Sequence, residues 1–462
     1  MNTALCGGAN FALVIGVTAS QQRSTTPGND FACQFRPRQE GQVVTVSELP
    51  ASRFSHNEAE YIPDPYSFYR EMRAERPAYR AENIFGGAWL FFGYKDCLEL
   101  MKEERLSNAR AAVPLWFLPE AQRNEFADML DVFERWLAFH DGKQHTRNRR
   151  QANRSYMPLT DEVLQPRIQR LVDGLLDAVN PASFDLMKDF AFPLPAMVIA
   201  DLLGVPTEEH PALTRWTDDI AHLFGSTHVT VEHLKRTQVS TRELAAFLAS
   251  PECARRSEKE NGLLHQLRTT EYHGFRFSEN DVVAQAALLL FAGVASIRYL
   301  IGNSVFALAD RPVAERDLLQ NPATVDAAVE ELLRYTTPVQ FVGRVAAEDF
   351  LFTTAAGEQI LLPKGRPIIL YIASANRDEA EFAQPDELIL DRRLPNRHLT
   401  FGAGRHLCFG DPLVRQTTRI ALATLYQRMP YLRVPAQTLN WNNNLGFHGF
   451  TALRVEVGTI TA

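Results

Sequence analysis

The sequence predicts a mainly α-helical fold with a small β region late in the chain. Residues 160 to 312 follow helical spacing almost throughout, with breaks at Pro181, Pro206, Pro211 and Pro251. β-favouring runs gather instead at 357–373, "GEQILLPKGRPIILYIA", with one more in the C-terminal "TALRVEVG". Neither an internal repeat nor a glycine-rich phosphate loop interrupts this order.

Along the chain, "FALVIGVTA" at 11–19 is too short to span a bilayer, and no Lys or Arg precedes it as a secretory signal requires. The Ser, Thr, Pro, Gly and Gln content that follows fits a linker. Residues 1–55 are therefore expected to be a loosely ordered extension or an over-long start, and 56–462 a catalytic domain. Asp64-Pro65 opens a helix that Pro77 closes. "AWLFFGYKDCLELMKEE" reads as a strand passing into a helix. Residues 111–136 are rich in aromatics and proline but carry no continuous helical stripe. Ser278, with Asp281 three residues on, caps a long apolar helix that ends before Pro312. A further helix runs from about Pro322 to Thr337, and Pro363-Lys364-Gly365 makes a turn between strands.

The chain has 462 residues, 45% of them hydrophobic, and a net charge of −7, which fits a large soluble protein. Without a basic excess, nucleic acid is not an expected partner. The five cysteines, Cys6, Cys33, Cys97, Cys253 and Cys408, are scattered and form no CxxC pair. That usage fits a reducing, cytoplasmic compartment with no membrane association.

The chemistry concentrates in "HLTFGAGRHLCFGDPLVRQTTRIALATLYQRMP", 398–430. A glycine-rich loop leads to Cys408 and then to an amphipathic helix. The thiol thus sits at a helix start, where backbone N–H groups favour its thiolate. The set Phe401, Gly404, His406, Cys408 and Gly410 resembles the heme-ligand signature of the cytochrome P-450 family, in which a cysteine thiolate is the axial iron ligand. The resemblance spans about residues 56–457.

It implies the cytochrome P-450 fold, with heme b (iron protoporphyrin IX) between the long helix at 278–311 and the loop of Cys408, the expected metal ligand. Phe401 and Gly402 would shape that loop. Glu331 and Arg334, an i,i+3 pair, would join Arg393 in a structural charge triad. His145, Arg149, Arg344 and His406 would contact the heme propionates. On the distal helix, Ala292 and Gly293 would let the backbone approach the iron. Where the family usually has a carboxylate and then a threonine, this chain has Ala295 and Ser296. Ser296 keeps a hydroxyl for oxygen chemistry, whereas the acid is replaced by a methyl group. Arg298, roughly 200° further around the axis, would point away and pair with a carboxylate on a neighbouring helix.

By the same resemblance the protein is a monooxygenase, monomeric, oxidising a small apolar or aromatic metabolite in a biosynthetic pathway. A separate ferredoxin and ferredoxin reductase would supply electrons, docking on a basic face of Lys143, Arg147, Arg150, Arg154, Arg405, Arg415 and Arg419. Expected pocket residues are Trp116, Phe117, Val294, Val339, Phe341, Phe447 and Phe450, with His448 as an orienting contact. The replaced acid raises an alternative: oxidative coupling, desaturation, or peroxide- or nitric-oxide-dependent chemistry. A heme sensor or carrier without turnover is the reading from outside enzymology.

Overall fold

A computed structural model describes residues 43–44, 61–81, 84, 87–226, 229–392 and 395–458. The predicted extension over 1–55 lies outside the described residues, apart from strand β1 (Val43–Val44). Only helices of seven or more residues are numbered.

Helix α1 (Pro65–Glu75) starts where Asp64 accepts the N–H groups of Tyr66 and Ser67, at 3.2 and 3.3 Å. Strands β2 (Ala78–Ala81) and β3 (Ala88–Phe91) pair antiparallel, and α2 (Tyr94–Lys102) follows. After β4 (Leu106–Ser107), Pro114 and Pro119 break the aromatic-rich segment into single turns until α3 (Ala127–Glu134).

The helical body comprises α4 (Gly142–Tyr156), α5 (Asp161–Ala178), α6 (Pro193–Leu203), α7 (His210–Gly225), α8 (Val231–Leu248), α9 (Pro251–Lys259) and α10 (Leu263–Thr269). Strand β5 (Phe184–Asp185) interrupts it. The prolines at 193, 211 and 251 lie in first turns, where no N–H is needed. Helix α11 (Glu279–Leu308) is capped reciprocally: Asp281 N–H donates to Ser278 Oγ at 3.2 Å, and Ser278 N–H to Asp281 Oδ2 at 3.1 Å. It is long and apolar enough to cross a membrane, yet 67% of its most apolar window is buried inside the protein, as a core helix requires.

Contrary to a β region confined to the end of the chain, the main sheet joins the early strands β2, β3 and β4 to strands that follow α12 (Val325–Tyr335). Strands β6 (Val342–Ala346), β7 (Phe350–Thr353), β8 (Gln359–Leu362) and β9 (Pro367–Leu370) are followed by α13 (Asp411–Arg428) and the short strands β10 (Leu432–Arg433), β11 (Asn440–Trp441), β12 (Phe450–Ala452) and β13 (Arg454–Val457). The main sheet has the order β2-β3-β9-β6-β4. The turn at 363–365, with Gly365 at φ +76°, is no hairpin: β8 pairs with β7 and β1, while β9 pairs with β3 and β6. Burial explains the separation. All four residues of β9 are buried, whereas β7 alternates buried and exposed, so the two strands suit different layers.

Candidate active site

The loop preceding α13 turns on two glycines at φ +72°, Gly402 and Gly404, and closes when Cys408 N–H donates to Phe401 O at 2.9 Å. Cys408 stands two residues before Gly410, the cap of α13. Burial pushes its thiol up; the Gly410 N–H and the cations Arg149 and Arg415 act in the opposite direction. Arg149 on α4 donates to Leu407 O at 2.7 Å, and Arg415 lies 4.4 Å over the Phe401 ring.

Cys408 and Phe401 line a cavity of about 400 Å³ that Ala292, Gly293 and Ser296 of α11 also line. The α11 residues in its wall, from Gln285 to Leu300, recur at helical spacing on one face. Contrary to expectation, neither Val294, on the opposite face, nor Ala295 lines the cavity; both are fully buried in packing. Ser296 Oγ donates to Ala292 O at 2.7 Å. A Cβ on Gly293 would meet Ile199 Cδ1 of α6 at 2.3 Å, so this glycine also serves helix packing.

His145, Arg149, Arg344 and His406 gather at the same cavity. The two imidazoles lie 4.0 Å apart by ring centroids. Burial first, then His145 and Arg344, push His406 down to about 3; burial also lowers His145, so both rings are neutral at physiological pH. Burial pushes Arg344 down to about 10, and its one hydrogen bond runs to the Gly343 carbonyl at 2.8 Å. Among the described residues no group of three His, Cys, Asp or Glu side chains could hold a bare metal ion. A metal on Cys408 must therefore bring most of its own ligands, as in a macrocycle with anionic arms, and this cationic rim suits such arms.

Of the expected pocket residues, Val339, Phe341 and Phe447 line the cavity. Trp116 and Phe117 do not: they are 37% and 52% exposed, because the turn at 113–115 carries them outward. Phe450 is fully buried against Trp441 and Phe306, at ring distances of 4.0 and 4.8 Å. His448 lies outside the cavity, with Nε2 2.9 Å from Ile62 O and its ring stacked on Trp441. The wall is completed instead by Trp136, Phe139, Phe224 and Phe291, which sequence reasoning missed. Trp136 stacks on Phe139 at 5.6 Å and on Phe291 at 5.1 Å. The aromatic content of the stretch before α4 was the available signal.

The charge triad is present with a different third member. Glu331 and Arg334 are fully buried and joined through two bonds of 2.8 Å. Arg392 Nε, one residue before the expected position, reaches Glu331 Oε2 at 2.9 Å. Arg393 lies outside the described residues. Arg298 is paired as expected, 2.5 Å from Asp218 on α7, and stands over the rings of Phe192 and Tyr299.

The basic face divides. Arg415 is neutralised by Glu330 and Asp411, Arg405 pairs with Glu104, and Arg419 stands 4.0 Å from Asp326, so these three are not free cations. Lys143, Arg147 and Arg150 line an open cleft along α4, where Arg147 covers the Phe275 ring at 4.0 Å.

Residues 120–438 match the family model described as Cytochrome P450. The biotin biosynthesis cytochrome P450 of Bacillus subtilis (strain 168) is 31% identical over 413 residues, covering 89% of this chain and 99% of that protein. Cytochrome P450 monooxygenase PikC of Streptomyces venezuelae is 32% identical, over 90% and 96% of the two chains. Among solved structures, P450BioI in complex with a hexadec-9Z-enoic acid ligated acyl carrier protein superposes with a TM-score of 0.77 at 29% identity, covering 87% of this chain and all of that one.

Proposed function

Because this chain belongs to the cytochrome P450 family and is a heme-thiolate monooxygenase of the biosynthetic bacterial type, we propose that it holds heme b on Cys408 and oxidises a small apolar or aromatic metabolite. The observation that carries this reading is that Cys408 and the Ser296 face of α11 line one cavity whose remaining walls are largely aromatic and aliphatic. When bound, the heme iron supplies dioxygen activation and oxygen transfer to a C–H bond.

The chain's own residues do the rest. Cys408, with the Gly410 N–H and Arg149 beside it, would hold the heme iron through its thiolate. Arg344 and Arg149, with the ring N–H groups of His145 and His406, would hold the propionates through charge-assisted bonds. Trp136, Phe139, Phe291 and Phe447 exclude water and orient the substrate body. On the α11 side, Gln285 is committed to scaffold bonds with Leu137 N–H at 3.0 Å and Arg135 O at 2.5 Å, which leaves the Ser296 hydroxyl, its own proton given to Ala292 O, to accept a hydrogen bond near the reacting face. Electrons come from a separate ferredoxin and its reductase, docking along the cleft of Lys143, Arg147 and Arg150, with the chain a cytoplasmic monomer.

Two measurements test the reading. The reduced carbon monoxide complex should give the spectrum of a thiolate-ligated heme, and Cys408→His should abolish it. Turnover under labelled dioxygen, with a ligand that shifts the ferric spin state, should insert one labelled oxygen. A second reading, coupling or desaturation without oxygen insertion, is favoured by one observation: among the described residues no Asp or Glu lines the cavity. A dehydrogenated or coupled product free of label would establish it.

A further inference from the structure

We propose that Arg110 anchors a carboxylate on the substrate, so that the molecule oxidised here is an acid with an apolar or aromatic body. The inference rests on the heme-thiolate reading above and specifies its substrate. Arg110 lies in the loop between β4 and the turn at 113–115, with its backbone fixed by bonds to Asn108 O at 2.7 Å and from Val113 N–H at 3.1 Å. Its side chain passes over Gly343 of β6, where a Cβ would stand 3.4 Å from Arg110 Cδ. The guanidinium carbon then stands 4.9 Å over the Phe139 ring, and the residue lines the cavity.

Nothing among the described residues neutralises it. Arg110 Nε is sealed from solvent with no hydrogen-bond partner, and the charged group influencing it most is Arg344, of like sign. Burial and that neighbour push the guanidinium down to about 9, which leaves it charged at neutral pH. Three of the chain's buried arginines meet carboxylates, Arg334 with Glu331, Arg298 with Asp218 and Arg377 with Asp386, while Arg316 donates to Leu432 O and Arg344 to Gly343 O. A desolvated guanidinium without a counter-ion is costly as scaffold and suited to capturing an anion in a bidentate fork. Arg344, Arg149, His145 and His406 already provide the donors for two propionates.

Arg110 stands at one end of an aromatic row. Phe139, under its guanidinium, stacks with Trp136, and Trp136 with Phe291, the residue before Ala292 on α11. A ligand with its carboxylate on Arg110 lays its body along these rings toward the Ser296 face. An amine would find no acidic partner among the described lining residues.

The test uses the ferric holoprotein and imidazole-tipped alkanoic acids of graded length, each with its methyl ester. The imidazole binds the iron in either form, so both members of a pair give an optical titration. At one chain length the acid should bind about tenfold to a hundredfold more tightly than its ester, the gain expected of a charged hydrogen-bond partner. Arg110→Gln should erase that preference while ester affinity and heme content hold, and Arg110→Lys should keep part of it. Equal binding of acid and ester by the wild-type protein at every length overturns the proposal without needing a variant. Loss of heme or of both affinities in Arg110→Gln overturns it in favour of a propionate contact. A wild-type protein with no thiolate-ligated heme spectrum would instead defeat the underlying functional reading.

Discussion

Ile199 Cδ1 occupies the space that a Cβ on Gly293 would need, 2.3 Å from where that atom would stand. This tight contact of α6 with α11 falls beside the cavity, one residue after Ala292 and three before Ser296. The missing side chain fixes the helix crossing as much as it clears room for oxygen.

Gly293→Ala should destabilise the protein by about 1–3 kcal/mol through overpacking. Adding Ile199→Val or Ile199→Ala should recover most of the loss. A denaturant series on the two single variants and the pair decides it: additive losses would show that Ile199 is not the obstacle.

Ser296→Ala should retain heme and ligand-induced spin shifts while lowering turnover by about a hundredfold, the scale of one positioned proton-transfer group. Ala295→Asp should not create the missing acid. Its carboxylate would enter a fully buried position that does not line the cavity and cost several kcal/mol. Thermal unfolding and product yield per electron pair distinguish these outcomes; a stable, faster Ala295→Asp variant would contradict the placement.

Removing one partner of the buried Glu331–Arg334 pair should cost about 3–5 kcal/mol and deplete heme content, because a charge is left uncompensated. Arg392→Ala should cost less, about 1–3 kcal/mol, since Arg334 still neutralises Glu331. Equal effects of Arg334→Ala and Arg392→Ala would contradict this ranking.

Acid should weaken the fold in two windows. Burial, outweighing an opposing bond to Ile62 O, pushes His448 down to about 4 from an ordinary 6.5, so the unfolded chain takes up its proton first. Stability present above pH 6.5 is therefore lost as pH falls toward 4. Burial raises the Glu330 carboxyl, but His398 and Arg415 outweigh it and hold the group at about 2 against an ordinary 4.5. Its contribution is full above pH 4.5 and is lost as pH falls toward 2. Urea midpoints against pH should show His448→Gln flattening the first window and Glu330→Gln the second.

Much of this was legible in the sequence where local rules act within one element. The Ser278–Asp281 box, the Asp64-Pro65 start, the thiol beside Gly410 and the outward course of Arg298 depend on spacing along one helix or loop. What escaped depended on contacts distant in sequence. Phe224 reaches the cavity because α7 packs over α11, and Trp116 leaves it because a short turn rotates the chain outward. The third triad arginine was displaced by one residue because it comes from irregular chain, where no period fixes which side chain turns inward. Hydrophobicity alone could not separate Phe341, in the cavity wall, from Phe450, in the core.

Arg334 also fastens the long coil between β9 and α13, donating to the carbonyls of Asn376, Pro385 and Glu387 at 2.8 to 2.9 Å. Arg392 adds a bond to the carbonyl of Ala383 at 2.7 Å. All of these grips are on main-chain oxygen, which every amino acid carries. At Ala383, Pro385 and Glu387 the coil's path is thus held by its main chain, whereas Asp386 is engaged by its own carboxylate, paired with Arg377 and Arg70. A library randomised over 383, 385 and 387 should yield many folded members, while the two arginines that read the backbone admit few replacements.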